Sequence, residues 1–154
     1  MEAVAAIPPF ERFYDERKDE IFGYLIRLLG RDSAEDAFQE TFLRALRAYG
    51  KLQHGRQLRA WAFTIATRVA VDERRRSAPV AEPPEIPVTD ERPAYAELEH
   101  LAGELPPTER AAVVLRYGYD LSYDDIGAAL GSSSEAARAA ASSGVRRLRR
   151  RQST

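Results

Sequence analysis

The stretch SYDDIGAALGSSSEAARAA, residues 122–140, decides how the C-terminal part of this chain folds. Ser122 is followed three positions later by Asp125, a pattern that resembles the box of side chains capping a helix N-terminus. The helix predicted over Tyr123–Leu130 then meets a glycine and three serines, which break it before another helical stretch. A short helix, a glycine-bearing turn and a longer helix form the helix-turn-helix pattern, in which the second helix enters the DNA major groove.

Upstream residues complete a small helical unit around this motif. The pair Pro106-Pro107 precedes another predicted helix, and the residues Tyr117-Gly118-Tyr119-Asp120 form a turn after it. The apolar side chains expected to pack in this unit are Leu98, Leu101, Leu105, Val113, Val114 and Leu115. We therefore predict a C-terminal domain over residues 95–151.

A proline-rich acidic segment lies before this domain. Residues 77–93 read SAPVAEPPEIPVTDERP and hold five of the nine prolines in the chain. Proline lacks the amide donor and fixes its own backbone angle, so the segment cannot join a helix. We predict a flexible linker over residues 77–94, which separates an N-terminal domain, residues 8–76, from the C-terminal one.

The N-terminal domain is predicted to hold three or four helices, three of which carry apolar stripes at three- and four-residue spacing. The first helix ends near Gly30, and Ser33 with Asp36 is expected to cap the second. The stripes consist of Phe10, Phe13, Tyr14, Ile21, Leu25 and Leu28, then Phe38, Phe42, Ala45, Leu46 and Tyr49, then Leu58, Trp61, Ala62, Ile65, Ala66 and Val69. The fold class is thus all-α, with two small helical domains.

Composition excludes several classes of function. The 154 residues are 44% apolar and 31% charged and include no cysteine, so a folded chain without disulfides or thiolate metal sites is expected. There is no signal-peptide pattern and no apolar run of about 18 residues, which favours the cytoplasm and no membrane span. His54 and His100 lie in different domains without catalytic neighbours, and no phosphate-binding glycine loop is present. We expect no enzyme activity, no cofactor and no metal site.

The net charge of -1 conceals an uneven distribution. Residues 1–76 carry 14 basic and 12 acidic side chains, residues 77–100 carry 1 and 6, and residues 101–154 carry 8 and 6. Basic side chains cluster further at residues 74–76 and 146–151. Two mildly basic ends flank an acidic centre, and local basic patches of this kind favour contact with nucleic acid.

Three stretches together resemble one family. SAEDAFQETFLRALRAYG (33–50) and LRAWAFTIATRVAVDERRR (58–76) resemble region 2 of the extracytoplasmic-function (ECF) group of bacterial sigma factors, within the sigma-70 family. LPPTERAAVVLRYGYDLSYDDIGAALG (105–131) resembles their region 4. The resemblance covers about residues 10–76 and 95–150, and the linker is short where larger sigma factors carry a further domain.

The resemblance implies a function and its partners. Sigma factors bind core RNA polymerase, direct it to a promoter and help to open the DNA at the -10 element. Core polymerase, through the coiled coil of its largest subunit and its flap, and promoter DNA are therefore the expected partners, with an anti-sigma factor as a further one. The residues matching the segment that grips the coiled coil are Asp36, Gln39, Glu40, Thr41, Leu43 and Arg44.

Other matching residues are implied to contact DNA. The loop 51–57 corresponds to the part that captures a base flipped out of the -10 element, and Trp61 is expected chiefly to pack in the core. The implied -10 residues are Gln53, His54, Arg56, Arg59, Trp61, Arg68, Arg74, Arg75 and Arg76. Those implied for the -35 element are Ser134, Glu135, Arg138, Ser142, Arg146 and Arg147.

The recognition helix departs from the family. Ala140, Ser142 and Ser143 stand where relatives typically have Arg, His and Arg, so most groups that would reach bases or phosphates are missing. Ala137 and Ala141 replace larger core residues, and Gly144 is expected to cost about 1 kcal/mol of helix stability relative to alanine.

Two hypotheses follow from this departure. The first is a sigma factor whose C-terminal domain reads the -35 element weakly, with the basic tail 146–151 holding phosphates. The second is a sigma-like regulator or decoy that binds polymerase or an anti-sigma factor with little or no -35 reading, since a face of small residues allows close approach of a partner helix.

Overall fold

The computed structural model describes residues 6–77 and 105–152, and within these ranges the regular secondary structure is entirely helical. The N-terminal helices are α1 (Phe10–Leu29), α2 (Arg31–Tyr49) and α3 (Leu58–Ser77). The C-terminal ones are α4 (Pro107–Val113), continued by a π-helical turn (Val114–Gly118), then α5 (Tyr123–Leu130) and α6 (Ser134–Gln152). Almost all of the predicted linker, and with it Leu98, His100 and Leu101, lies outside the described residues.

An aromatic cluster holds α1, α2 and α3 together. Phe13 is almost fully buried, and its ring centroid lies 6.1 Å from that of Phe42, 5.5 Å from that of Tyr49 and 5.6 Å from that of Trp61. Because each helix contributes at least one of these rings, the cluster fixes the mutual position of all three helices. Trp61 is partly buried and packs in this cluster. This agrees with the prediction that Trp61 chiefly packs in the core.

Two predictions about α2 were wrong. The helix begins at Arg31 directly after Gly30, whose positive φ of 81° ends α1, and it has no side-chain cap. Ser33 therefore lies inside the first turn and caps nothing. Leu46, predicted in the core stripe, is 53% exposed, because the α2 stripe turns away from α1 and α3 at that position.

A second buried surface was absent from the predicted stripes. Tyr24 and Phe63 are fully buried, with ring centroids 5.3 Å apart, and the Tyr24 hydroxyl lies 2.8 Å from Thr67 Oγ1. Thr67 donates its own proton to the Phe63 carbonyl at 2.7 Å, so Tyr24 is the donor in the hydroxyl pair. This surface of α1 and α3 faces the C-terminal helices rather than α2.

We expect Tyr24→Phe to lower the free energy of unfolding at pH 7 by about 1–2 kcal/mol, since buried Thr67 Oγ1 loses its donor. Burial also raises the pKa of Tyr24 far above its ordinary value of about 10. Above about pH 10 the Tyr24 hydroxyl therefore keeps its proton in the folded state and loses it in the unfolded state. The contribution of Tyr24 to the free energy of unfolding is complete below about pH 10 and is lost as the pH rises further.

Urea unfolding of both proteins at pH 7 and at steps between about pH 9 and 11 measures this effect. The wild-type protein should lose stability more steeply with rising pH than the Tyr24→Phe variant. Parallel pH profiles would contradict the assignment.

The C-terminal helices form the predicted helix-turn-helix. The Ser122 hydroxyl accepts a hydrogen bond from the Asp125 amide at 3.1 Å, which confirms the cap of α5. Gly131 ends α5 in the left-handed conformation with φ 68°, as glycine allows without steric cost. The Ser133 hydroxyl then accepts from the Ala136 amide at 3.0 Å and caps α6.

Gly127 permits the tight turn between α5 and α6. A Cβ at this position would lie 2.8 Å from the Ser133 carbonyl oxygen and 2.9 Å from the Ser132 carbonyl oxygen. We expect Gly127→Ala to destabilise the C-terminal helices by about 1–3 kcal/mol, because the backbone of Ser132 and Ser133 would have to move to make room for the new methyl group. Gly118→Ala is the control, since its Cβ would meet Val114 at an ordinary 3.7 Å. Hydrogen exchange of the α5 and α6 amides measures both variants, and equal protection in the two would refute the steric argument.

The two groups of helices pack against each other. Helices α4 and α5 lie against α1 and α3, and Tyr119, between the π-helical turn and α5, inserts among the rings of Tyr24 and Phe63. No helix in the part of the chain that the structure describes is long and apolar enough to cross a membrane.

Candidate polymerase and nucleic-acid interface

The exposed face of α2 combines polar side chains with two leucines. Asp36 and Gln39 are exposed, Leu43 is 47% exposed, and Leu46 lies one turn further along at 53%. Solvated helix faces rarely carry two such leucines together, and this face can bury them against another helix. Leu46 belongs to this face and was missed, because its spacing also fits the core stripe.

Thr41 does not share this face. Its side chain is 1% exposed, and its hydroxyl donates to the Ala37 carbonyl at 2.7 Å inside α2. The prediction that Thr41 contacts polymerase is therefore corrected: it supports the helix from the buried side.

Charged side chains hold one another in place along the edge of the α2 face that lies next to α3. Arg44 donates from Nε to Glu40 at 3.0 Å and from a terminal nitrogen to Asp72 of α3 at 3.2 Å. The hydrogen bond to Glu40 is the main cause that raises the pKa of Arg44. Glu40 and Arg44 are half-buried, so they present a preformed polar edge beside the two leucines.

The loop between α2 and α3 borders a cavity. Gln53, His54 and Arg56 are exposed, and the Arg56 amide donates to His54 Nδ1 at 3.2 Å. A cavity of about 430 Å³ lies between this loop and the start of α1, lined by Ala6, Pro8, Arg12, Phe13, Glu16, Arg17, Gly55, Gln57, Leu58 and Arg59. The three predicted side chains stand outside the lining, whereas Arg59 lies within it.

The predicted phosphate-binding arginines of α3 divide into two groups. Arg68, Arg75 and Arg76 are exposed. Arg59 is instead held by Glu20 at 3.2 Å and by the Tyr119 carbonyl at 2.8 Å. Arg74 donates to the Leu28 carbonyl at 2.9 Å, and burial lowers its pKa. The guanidinium groups of Arg59 and Arg74 thus have partners within the protein, although the Arg59 side chain is still 38% exposed.

Helix α6 presents a sparse basic face. Glu135, Arg138, Ser142 and Arg146 are exposed, and Ser134 is half-buried at the start of the helix. The Arg138 guanidinium lies 4.9 Å from the Tyr123 ring centroid, a cation–π arrangement. Between the arginines, this face offers only alanine and serine side chains.

Arg147 and Ser143 both contact Glu109 of α4, and the Arg147 side chain is still 56% exposed. Arg147 Nε lies 2.9 Å from Glu109 Oε2, and the Ser143 hydroxyl donates to the same carboxylate. These contacts join α6 to α4, so Arg147 has a structural role here beside its predicted contact with DNA.

The small residues of α6 are needed for packing. Ala137 and Ala141 are fully buried, and a Cβ on buried Gly144 would lie 2.6 Å from Val113 Cγ2 of α4. The glycine permits close approach of α4 and α6, so its low helix propensity is offset by a contact that alanine would not allow. The expected cost of Gly144 is thus offset in the packed structure, whereas the smaller apolar burial expected for Ala137 and Ala141 stays a prediction.

These features define a class of protein: a helical bundle with an exposed amphipathic face, joined to a helix-turn-helix unit. The family model of sigma-70 region 2 matches residues 13–79, and that of sigma-70 region 4 matches residues 101–150.

Similar curated proteins include the ECF RNA polymerase sigma factor SigE of Mycolicibacterium smegmatis and the RNA polymerase sigma factor CarQ of Myxococcus xanthus. SigE is 34% identical over 82% of this chain, which spans only 55% of the SigE length. CarQ is 32% identical over 91% of this chain and 87% of its own length. The chain belongs to the ECF group of the sigma-70 family.

Two solved structures share the fold. The sigma factor RpoE, in complex with the anti-sigma factor NepR from Bartonella quintana, matches with a TM-score of 0.78 at 20% identity, covering 92% of this chain and 94% of that one. CnrH, in complex with the cytosolic domain of CnrY, matches with a TM-score of 0.68 at 21% identity, covering 94% and 87%.

Proposed function

We propose that this chain is a cytoplasmic ECF-type sigma factor that binds core RNA polymerase and directs promoter-specific initiation of transcription. The observation that carries the proposal is the α2 face, where Leu43 and Leu46 are exposed beside the ordered Glu40–Arg44–Asp72 chain. An apolar centre with a polar rim is the anatomy of a protein–protein interface.

Its contacts with DNA follow from the other two surfaces. The exposed arginines 68, 75 and 76 lie further along α3, which begins directly after the loop that carries Gln53, His54 and Arg56. Together with the loop they are proposed to hold the -10 element. The exposed face of α6, with Arg138 and Arg146, is proposed to lie on the -35 element. Phosphate contacts of this kind release counterions, so binding should weaken steeply with salt. The chain acts by binding and strand separation and needs no covalent chemistry.

Runoff transcription with purified core polymerase tests the proposal. Genomic fragments from the source organism are transcribed with core alone, with core and this protein, and with core and a protein carrying Leu43→Asp and Leu46→Asp. The expected result is a set of RNA products that requires the unchanged protein. Absence of any such product, despite active core polymerase, would contradict the proposal.

A second function is favoured by the sparse face of α6. Ser142 and its alanine neighbours offer few groups for reading base edges. The second candidate is therefore a sigma-like regulator or decoy that binds polymerase or an anti-sigma factor, with weak or absent reading of the -35 element. The solved structure of RpoE, which has a similar fold, contains the anti-sigma factor NepR, and this supports the alternative. A pull-down from the source cells, combined with a DNA-binding assay, separates the two. A sigma factor is recovered with core polymerase and binds promoter DNA, whereas the regulator or decoy is recovered with core polymerase or an anti-sigma protein and binds the -35 element little or not at all.

A further inference from the structure

The segment directly before α1 runs across the loop that follows α2. We call residues 6–9 the brace. It meets the loop at Gly55, where a Cβ would lie 3.0 Å from the Ala6 carbonyl carbon and 3.3 Å from the Ile7 Cα. Among the glycines that the structure describes, positive φ occurs at Gly30 and Gly131. The small size of Gly55 therefore serves this close approach rather than an unusual backbone angle of its own.

The brace is also fixed at two further points. The Tyr49 hydroxyl, at the end of α2, donates to the Pro8 carbonyl. The Pro9 carbonyl accepts from the amides of Arg12 at 3.1 Å and Phe13 at 3.2 Å in the first turn of α1. Two consecutive prolines restrict their own backbone angles, so the brace loses little conformational entropy when it is held in place. It thus ties the loop to α1 and to the end of α2.

The loop itself carries the side chains that the proposed function assigns to an unpaired base. Gln53, His54 and Arg56 are exposed, and His54 and Arg56 stand on either side of Gly55 in the sequence. Gln57, at the end of the loop, has a φ of 58°. A residue with a side chain keeps this left-handed conformation only where the surrounding structure holds it. The point at which the brace contacts the loop therefore lies among the residues proposed to capture the base.

We propose that the brace holds loop 51–57 in the shape in which Gln53, His54 and Arg56 capture an unpaired base of the -10 element, with Tyr49 and Gly55 as positioning residues. The inference rests on the proposed function for the identity of the DNA element. The contacts between the brace and the loop stand apart from it.

The brace should affect recognition of a base more than general affinity for single-stranded DNA. Hydrogen bonds to the edge of a captured base weaken steeply as their geometry departs from the ideal, so they need donors and acceptors at fixed places. Attraction to phosphates depends on charge and tolerates a looser loop. A loosened loop should therefore lose specificity and keep most of its electrostatic binding.

Gly55→Ala and Gly50→Ala form a matched pair that adds the same methyl group at the two ends of the loop region. At Gly55 the new methyl would displace the backbone of Ala6 and Ile7. At Gly50 it would meet nothing within 4 Å, and the φ of -66° there suits alanine. Alanine in open space mainly restricts the unfolded chain, so Gly50→Ala should leave the loop as ordered as in the wild-type protein.

Tyr49→Phe tests the second contact of the brace. It keeps the aromatic ring, whose centroid lies 5.5 Å from that of Phe13, and loses only the hydroxyl that donates to Pro8. Circular dichroism and affinity for core polymerase should therefore match those of the wild-type protein. This milder variant keeps the test decisive if Gly55→Ala does not fold.

Loop order is measured by nitrogen-15 relaxation in the free full chain. A rigid backbone amide has an order parameter of about 0.85 and a flexible one a value below about 0.6. The amides of residues 53–56 should keep rigid values in the wild-type protein and in Gly50→Ala, and fall below about 0.6 in Gly55→Ala and Tyr49→Phe. Rigid values in both of the latter variants would overturn the proposal, as would equal loosening in Gly50→Ala.

Base recognition is measured with the complex of each full chain and core polymerase, and core polymerase alone gives the background. One probe is a fluorescein-tagged single-stranded 12-mer copied from the -10 region of a promoter that the wild-type protein transcribes, and the other is a 12-mer of thymidine. If the braced shape falls to roughly one molecule in five, the promoter 12-mer should bind about fivefold more weakly and the thymidine 12-mer should change by less than about twofold. A loosened loop that binds the promoter 12-mer at full affinity, or that loses both probes equally, would overturn the positioning role.

Failure of the proposed function is recognised separately. Runoff transcription and core-polymerase binding by the wild-type protein decide that question, whatever the brace variants do. If the wild-type protein transcribes while both brace variants keep a rigid loop and full affinity for the promoter 12-mer, only the brace falls. If it neither binds polymerase nor transcribes, the sigma function falls, and the order parameters alone decide whether the brace holds the loop.

Discussion

Replacing Leu43 and Leu46 together by aspartate is expected to weaken binding to core RNA polymerase by at least about 100-fold, which corresponds to about 2.8 kcal/mol. Each leucine buried at an interface contributes about 1.5–3 kcal/mol, and a carboxylate placed there without a partner adds a desolvation cost. Both side chains are about half exposed in the free protein, so the substitutions should leave its fold unchanged.

Val71→Asp on α3 is the matched control for this prediction. Val71 is an apolar side chain with a similar exposure, 38%, but it lies outside the α2 face. Surface-immobilised core polymerase measures the dissociation constants of wild-type, double-variant and control proteins. Retained affinity in the double variant, or an equal loss in the control, would remove the α2 face as the docking surface.

Phe13→Ala is expected to cost about 3–5 kcal/mol of stability and to unfold much of the N-terminal bundle at 37 °C. Phe13 is 1% exposed and contacts rings from α1, α2 and α3, so its removal leaves a cavity that none of the three helices can close alone. A bundle of this size has a small free energy of unfolding, so a loss of this magnitude removes most of it.

Phe13→Leu serves as the control, because leucine keeps most of the apolar volume and should cost clearly less than alanine. Thermal and urea unfolding followed by circular dichroism compare the three proteins. A loss below about 1 kcal/mol for Phe13→Ala would show that the aromatic cluster does not hold the bundle together.

Helix positions followed from periodicity and capping. The bounds of α5, its Ser122 cap and the turn at Gly131 were all predicted, because the determinants of such a motif lie within a few residues of one another. The end of α1 near Gly30 was predicted for the same reason, since a positive φ strongly favours glycine.

The candidate sites were predicted less completely. The exposure of Asp36, Gln39 and Leu43 agrees with the predicted docking face, but the proposed roles themselves stay predictions. Thr41 was misplaced because a polar residue on an amphipathic helix can satisfy its hydroxyl on the helix backbone and remain buried. Arg74 was expected to contact DNA, but it donates to the Leu28 carbonyl instead. This was missed because the sequence alone does not show which arginines lie near a buried carbonyl.

By itself, the sequence determined the two helical units, the helix-turn-helix and the stripe that forms the N-terminal core, because each depends on local spacing. Only the tertiary structure decided that α3 is buried on two sides, that Tyr24 and Phe63 receive Tyr119, and that Gly144 allows α4 to approach α6. The physical reason is that periodicity along a helix reports one apolar face, whereas a second buried face and the distance between helices depend on residues far away in the chain.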